Sequence, residues 1–408
     1  MTARRAAWLV LLAALAGTPR PSAAGTEEFS TFDVESQEED DESLIDHLLT
    51  RPPRAWRDEW ERSPQALRSS QGCLTSGQWF IDTQLKLRAP LGDRARFGFE
   101  LIQDESDRES FLYTDFTFRF PTAWGTPGAM FRPLFDKSRQ DFGVFWEAGD
   151  DTADAHLLAM FVFEDTFNNL WAFRQTRVGE ASEPYERHPY EPSLSFRVRR
   201  PDWRIEALGR WLTPSRKRLA DPDRTSTLWG ALGTGAFEAT ALGLGWELRG
   251  GTKQAASTEQ PVDLSTGDSR DMRRQWWVET VLRRRMNARV EAEARWLYQG
   301  RTQSIAAPEG PRGLNAIDRV IQAEATIDIA RGWAARVGGL YDRIGVDQSG
   351  VVPAFSYGSR TESRAYVGLS ARFGRVSVHG VEGMELDPEP YEVWLIHDKA
   401  FLHLQTTF

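Results

Sequence analysis

The sequence predicts an all-β chain folded as a single antiparallel up-and-down β-barrel that crosses a membrane. Three observations predict it. From Gly77 onward, apolar and polar residues alternate with period two, the mark of half-buried strands rather than helices. Mean hydropathy is −0.49, too low for a helical membrane protein, yet aromatic residues make up 12% of the 408 residues and include 16 Trp. A barrel wall reconciles the two, because only alternate residues meet lipid and rings collect at membrane interfaces. Finally, connections between the alternating segments are short and long in turn, which a water-soluble sandwich has no reason to show.

The alternation is explicit. Phe97, Phe99 and Leu101 oppose Arg96, Gly98 and Glu100; Leu112, Thr114, Phe116, Phe118 and Phe120 oppose Tyr113, Asp115, Thr117 and Arg119. Further on, Trp276, Val278, Thr280 and Leu282 oppose Glu279 and Arg283, and Ala365, Val367, Leu369, Ala371 and Phe373 oppose Arg364, Tyr366, Ser370 and Arg372. Short links fall at Arg200-Pro201-Asp202, Gly233-Thr234-Gly235, Arg285-Met286-Asn287, Ala330-Arg331-Gly332 and Gly374-Arg375, and long ones at 213–225, 250–273, 299–317 and 343–362. The count is about sixteen strands over 77–408, the first at 77–89 and the last at 391–408, an even number as single-chain barrels require. It becomes eighteen if Trp171 to Arg177 adds a strand and His397-Asp398-Lys399 splits the last one.

Charge sets an expected register for the hairpin from Trp276 to Tyr298. Pairing positions that sum to 574 puts Glu279 opposite Arg295, Arg283 opposite Glu291, Trp276 opposite Tyr298 and Val278 opposite Trp296, around a three-residue loop at Met286 to Ala288. A sum of 572 sets like charges directly opposite, which is unfavourable. Phe373-Gly374-Arg375-Val376 reads as a second hairpin, with Gly where a type II′ turn wants it.

The last residues alternate as well: Leu402, Leu404 and Phe408 share a face with Thr406, while His403, Gln405 and Thr407 point the other way. A strand ending the protein on Phe resembles the final strand of bacterial outer-membrane β-barrels. That resemblance covers 77–408 at the level of architecture. It implies an outer-membrane location, short periplasmic turns, long extracellular loops, and an assembly signal at Leu402, Leu404 and Phe408 addressed to the barrel-assembly machinery.

Residues 1–24 have the layout of a secretory signal peptide: Arg4 and Arg5, an apolar run from Trp8 to Ala16, and Ser22-Ala23-Ala24. The segment 25–76 is expected to be acidic, periplasmic and partly disordered, with short helices. Thirteen acidic against four basic residues between Gly25 and Arg62 account for the whole chain's net charge of −9. A small plug docking in the barrel is the sharper reading of this segment, periplasmic decoration the plainer one. The lone Cys73 excludes an intrachain disulfide.

On this pattern the inward wall carries Arg94, Arg96, Glu100, Asp115, Arg119, Arg204, Glu206, Arg210, Glu279, Arg283, Glu291, Glu293, Arg295, Glu324, Arg336, Arg364 and Arg372. Charge at this density must line water or sit in a saturated ion-pair network, since isolated dry charges are too costly. Trp276, Trp296, Tyr298, Trp333, Tyr341, Phe373 and Trp394 are the candidate aromatic girdle.

The expected function is passage of polar solutes, including polysaccharide, through a charged lumen, as a porin-like or export channel. The alternatives are a structural or adhesive barrel with a plugged lumen, and an outer-membrane hydrolase. Enzyme signatures are poor, with no HExxH and no Walker A. His379 beside Ser377, and His188 near Glu186, are the residues a hydrolase would nominate. No cofactor or metal is implied, the expected partner is outer-membrane lipid, and the acidic balance disfavours nucleic acid.

Overall fold

The computed structural model describes residues 56, 59–60, 63–73, 79–106, 110–133, 140–149, 153–163, 185–218, 224–261, 269–307, 310–350, 359–386 and 399–408. In chain order the strands are β1 (Ala66–Cys73), β2 (Trp79–Leu91), β3 (Ala95–Ser106), β4 (Ser110–Arg119), β5 (Thr126–Pro133), β6 (Gln140–Ala148), β7 (Ala155–Phe163), β8 (Tyr185–Arg187), β9 (Tyr190–Arg199) and β10 (Trp203–Arg218). They continue as β11 (Arg224–Ala241), β12 (Leu244–Pro261), β13 (Ser269–Arg285), β14 (Val290–Ala307), β15 (Gly310–Ala330), β16 (Trp333–Gly350), β17 (Arg360–Phe373), β18 (Val376–Glu385) and β19 (Lys399–Thr407). All belong to one antiparallel sheet. Short β8 lies along β10 just as β9 does and continues that strand, so the wall counts eighteen.

The sheet closes. β1 pairs with β2 on one side (Ala66 with Lys86) and with β19 on the other (Ala66 with Thr407), and the Phe408 N–H donates to the Gln65 carbonyl at 3.1 Å. No helix among the described residues is long and apolar enough to cross a membrane; the crossing elements are strands.

Eighteen strands is the larger of the two expected counts, reached through different segments. β1 and β5 are the additions, and neither carries a period-two signal: Ala66–Cys73 is mostly small and polar, and Thr126–Pro133 is interrupted by Pro127, Gly128 and Pro133. The barrel therefore opens at Ala66, inside the stretch assigned to the N-terminal segment. Trp171 to Arg177, Trp394, residues 397–398 and the signal-peptide stretch lie outside the described residues.

Two turns moved. Gly233-Thr234-Gly235 is mid-strand, paired through on both sides, and the chain reverses instead at Leu242 and Gly243, whose φ values of 54° and 73° are both positive. Two positive φ values give the twist that matches right-handed strands, and glycine supplies one of them without strain. The hairpin at 286–289 is one residue longer than expected because Asn287 Oδ1 accepts the N–H groups of Arg289 (2.8 Å) and Val290 (2.9 Å). Register shifts accordingly: Glu279 faces Leu297, Arg283 faces Glu293, Trp276 faces Gly300 and Val278 faces Tyr298. The Phe373–Val376 hairpin stands as expected, with Gly374 at φ 65°.

The expected long loops at 250–273 and 299–317 are largely strand. β12 runs to Pro261, β13 starts at Ser269, β14 runs to Ala307 and β15 starts at Gly310. Only about 9–11 tilted residues are needed to cross the hydrocarbon, so β10 to β16, at 16 to 21 residues, rise well beyond it. There both faces meet water, and polar Gln254, Arg274, Thr302, Ser304 and Asn315 appear on the outward face, which erases the alternation.

Within the band that would meet lipid, the outward face is apolar and bounded by rings. Trp203, Trp246, Trp333 and Phe373 lie near the end carrying the short turns; Trp211, Trp276, Tyr298 and Tyr341 lie toward the other. Trp203 to Trp211 and Trp333 to Tyr341 are each separated by about 26 Å along a strand, which the strand tilt turns into roughly 20 Å of height, most of an apolar barrel band. Trp276 meets Tyr298 edge-on at 5.0 Å, Tyr298 stacks on Trp296 at 5.8 Å, and Trp333 meets Phe373 edge-on at 5.7 Å.

Inside, rings come up against glycines of the neighbouring strand. A Cβ at Gly338 would sit 2.4 Å from both Cζ and Oη of Tyr366, so this close approach requires glycine. Gly338→Ala is expected to destabilise the barrel by about 1–3 kcal/mol through overpacking, lowering the temperature at which its compact gel form is lost. Gly345→Ala, whose Cβ meets only the Ile317 carbonyl at 4.0 Å, should leave that temperature unchanged.

Candidate functional site: the lumen wall and the docked N-terminal turn

Strand pairing fixes which side chains share a face. By that register Arg96, Glu100, Asp115, Arg119, Arg204, Glu206, Arg210, Glu279, Arg283, Glu291, Glu293, Arg295, Glu324, Arg336, Arg364 and Arg372 all lie on the inner face. Arg94 does not: it belongs to the exposed turn after Gly92, whose φ of 66° marks where the chain reverses.

These charges are not scattered. From β11 to β14 they form one alternating chain. Glu238 reaches Arg249 at 4.0 Å; Arg249 contacts Glu247; Glu247 contacts Arg283; Arg283 bonds Glu293 at 2.7 Å; Glu293 accepts from Arg295 at 2.7 Å; and Arg295 pairs with Glu279 at 2.8 Å. Glu279 and Arg295 thus keep their expected partnership, on a diagonal rather than directly opposite. Shorter chains occupy the rest of the wall. Arg132 forks onto Asp115 (2.6 and 2.8 Å), Glu147 accepts from Arg119 (3.1 Å) and sits 2.8 Å from His156 Nε2, and Arg210 pairs with Glu191 (3.1 Å). Arg301 pairs with Asp318 (3.1 Å), and Glu324 holds both Arg336 (2.5 Å) and the Tyr366 hydroxyl (2.7 Å).

Sequence reasoning missed two features of this wall. Arg132 was lost with β5, and Glu247 and Arg249 were assigned to a strand whose turn was misplaced, although their parity with Arg283 becomes visible once Leu242-Gly243 is the turn. The wall also carries inward apolar patches between the charges: Met130, Phe145 and Val162 on β5 to β7, and Leu212, Leu232 and Ala255 around Trp277, which also packs on Leu297 and Val320. A Trp beside a Trp, as at 276 and 277, gives no parity signal of its own.

At the short-turn end the N-terminal segment touches the inner wall. Trp56 and Trp60 are both buried and helical. Lys86 Nζ donates to the Trp60 carbonyl at 2.7 Å, Gln405 Nε2 donates to the Trp56 carbonyl at 2.9 Å, and Arg372 pairs with Glu59 at 2.7 Å. The Arg68 guanidinium lies 4.8 Å from the Trp60 ring centre, and the Trp56 ring meets His379 edge-on at 5.8 Å. Beside Trp56 a cleft of about 510 Å³ opens against Arg289 and the turn around Arg331. Trp56, Glu59 and Trp60 are the residues of this segment that contact the inner wall.

Of the nominated hydrolase residues, His379 takes the Ser370 hydroxyl at 2.7 Å rather than that of Ser377, and stacks on His403, itself 2.7 Å from Ser70. Glu186 pairs with Arg216 at 3.1 Å. No cluster of three metal-ligating side chains occurs among the described residues.

A closed antiparallel wall with an aromatic-bounded apolar exterior and a charge-laced interior defines the chain as a β-barrel of the membrane-spanning kind. Neither the protein-family models nor the curated proteins give a match. Solved structures do. A loop L8 deletion mutant of OmpT, an outer membrane protein of Vibrio cholerae, is similar over 84% of this chain and 97% of its own, at 11% identity and a TM-score of 0.37. A bacterial polysaccharide outer membrane secretin is similar over 85% and 99%, at 10% identity and 0.41. CdiB from Acinetobacter baumannii is similar over 84% of this chain and 60% of its own, at 10% identity and 0.43.

The Arg283 side chain is 6% exposed and lies between Glu247 and Glu293. Removing one partner of such a buried network strands the others and costs about 3–5 kcal/mol. Arg283→Ala is therefore expected to lower thermal stability more than the exposed-turn variant Arg94→Ala, and Glu279→Ala with Arg295→Ala should cost less than the sum of the two single changes in a double-mutant cycle.

Proposed function

We propose that the chain is an outer-membrane channel for polar solutes, anchored by its aromatic-bounded band and assembled through its final strand. The observation that carries this reading is the inner face: charged and hydrogen-bonding side chains from β2 round to β19, in a barrel of a size that elsewhere encloses an aqueous passage. Mutual pairing of the arginines and carboxylates lowers the cost of holding them on a wall while leaving donors and acceptors for sugars and ions. Polar solute up to the size of a polysaccharide strand is the substrate class that such a lining suits. The wall's apolar patches would break the charge into zones rather than one uniform field.

A plugged structural barrel is the second reading, and the docking of Trp56 and Trp60 favours it. Conductance in planar bilayers separates the two. The full chain should give small or infrequent steps, and Trp56→Ala with Trp60→Ala should raise them several-fold by loosening the turn from Lys86, Arg68 and Gln405. Absence of steps from both proteins, each shown to be folded, would leave only the closed barrel. Deleting Phe408 should reduce the amount of folded barrel recovered from membranes while secretion into the periplasm continues, since that residue ends the seam strand and faces outward.

A further inference from the structure

On the outward face of β15 and β16, Arg319 and Arg343 stand directly opposite each other. Like charges in that position repel, with Cβ atoms only about 5 Å apart. Their outward neighbours by register, Tyr298, Ile317, Ile321, Tyr341, Gly345 and Thr361, include no carboxylate. Neither guanidinium makes an ion pair among the described residues, and both side chains are exposed. Arg319 is instead held over the Tyr298 ring, 5.6 Å from its centre. The inner face matches its arginines with acids, whereas here two arginines directly opposite on adjacent strands have no acid beside them, and an anion from outside would cancel their repulsion.

Height identifies the source. Trp333 begins β16 at the short-turn end, and Arg343 stands ten residues further along, just beyond Tyr341 of the far ring belt. Ten tilted residues are one hydrocarbon thickness, which puts both guanidinium groups at the headgroup level of the outer leaflet. Arginine recognises phosphate through paired N–H donors, and two guanidinium groups this close can share one phosphate and cancel their mutual repulsion.

We infer that Arg319 and Arg343 form a binding site for the phosphate of an outer-leaflet lipid headgroup, flanked by Tyr298 and Tyr341. The site rests on the outer-membrane placement proposed above but not on the lumen being open.

The test uses the full chain purified in non-ionic detergent, following its unfolding temperature as a bisphosphorylated lipid A, phosphatidylcholine or inorganic phosphate is added. The wild type should gain several degrees with lipid A, whose phosphomonoesters carry net negative charge, and none with phosphatidylcholine, whose phosphodiester is already balanced by choline, or with inorganic phosphate. Arg343→Glu places a carboxylate opposite Arg319; it should keep or raise the lipid-free unfolding temperature and lose the lipid-dependent gain. No gain for the wild type, or an equal gain for Arg343→Glu, overturns the site. An equal gain from millimolar inorganic phosphate overturns its assignment to a lipid. Because no conductance is read, failure here leaves the channel proposal standing, and failure of the bilayer experiment leaves this one standing.

Discussion

A backbone that crosses hydrocarbon has no water to satisfy its N–H and C=O groups, so a sheet that spans it has to pair every edge. Here the two edges are the first and last strands. β1 lies between β2 and β19, and the Phe408 N–H completes the seam on the Gln65 carbonyl. Once the seam is made, side-chain direction follows around the whole ring: each residue points to lipid or to the interior according to its parity with its pairing partners. The inner chain of charges from Glu238 to Glu279 and the outer rings at Trp276 and Tyr298 are two readings of the same strands.

How much of this was legible in the sequence depended on contrast between the two faces. Where strands crossed the apolar band, as at Phe97 to Leu101 or Ala365 to Phe373, alternation located them and assigned their faces. The terminal strand and the Gly374 turn were read for the same reason, one by parity and the other by glycine chemistry. β1 escaped because Arg68, Ser69, Ser70 and Gln71 offer no contrast, and β5 because its prolines argue against any strand. The upper halves of β12 to β15 escaped because water on both faces removes the pressure to alternate. Register failed for a local reason: charge alone favoured Arg283 opposite Glu291, while the Asn287 side chain organised a loop that moved the pairing by two residues in sum and carried Arg283 to Glu293. Docking of the N-terminal turn left no pattern, since two tryptophans four residues apart describe many amphipathic turns.

The interior answers its electrostatic problem on the wall itself. Arginines alternate with carboxylates from β11 to β14, Asp342 faces Glu362 across β16 and β17, and the apolar groups around Trp277 and Met130 separate such sectors. In such a lining the pairs stiffen the ring while their unused donors and acceptors stay available. The N-terminal turn uses the same vocabulary, with Lys86 and Gln405 holding two carbonyl groups and Arg372 holding Glu59. These are side-chain contacts rather than ladder pairing, which marks the turn as an addition to the wall and not a part of it.

The length of β14 and β15 carries one more consequence. Their pairing continues to Ala307 and Gly310, so on that side the polypeptide climbs clear of the bilayer as a stiff hydrogen-bonded palisade before it reverses. A protease needs an extended, unpaired stretch to fit its cleft, and the paired length of this ridge denies it one. In the outer-membrane placement proposed above, shaving intact cells should therefore leave the ridge standing and attached long after looser surface chains have been trimmed away.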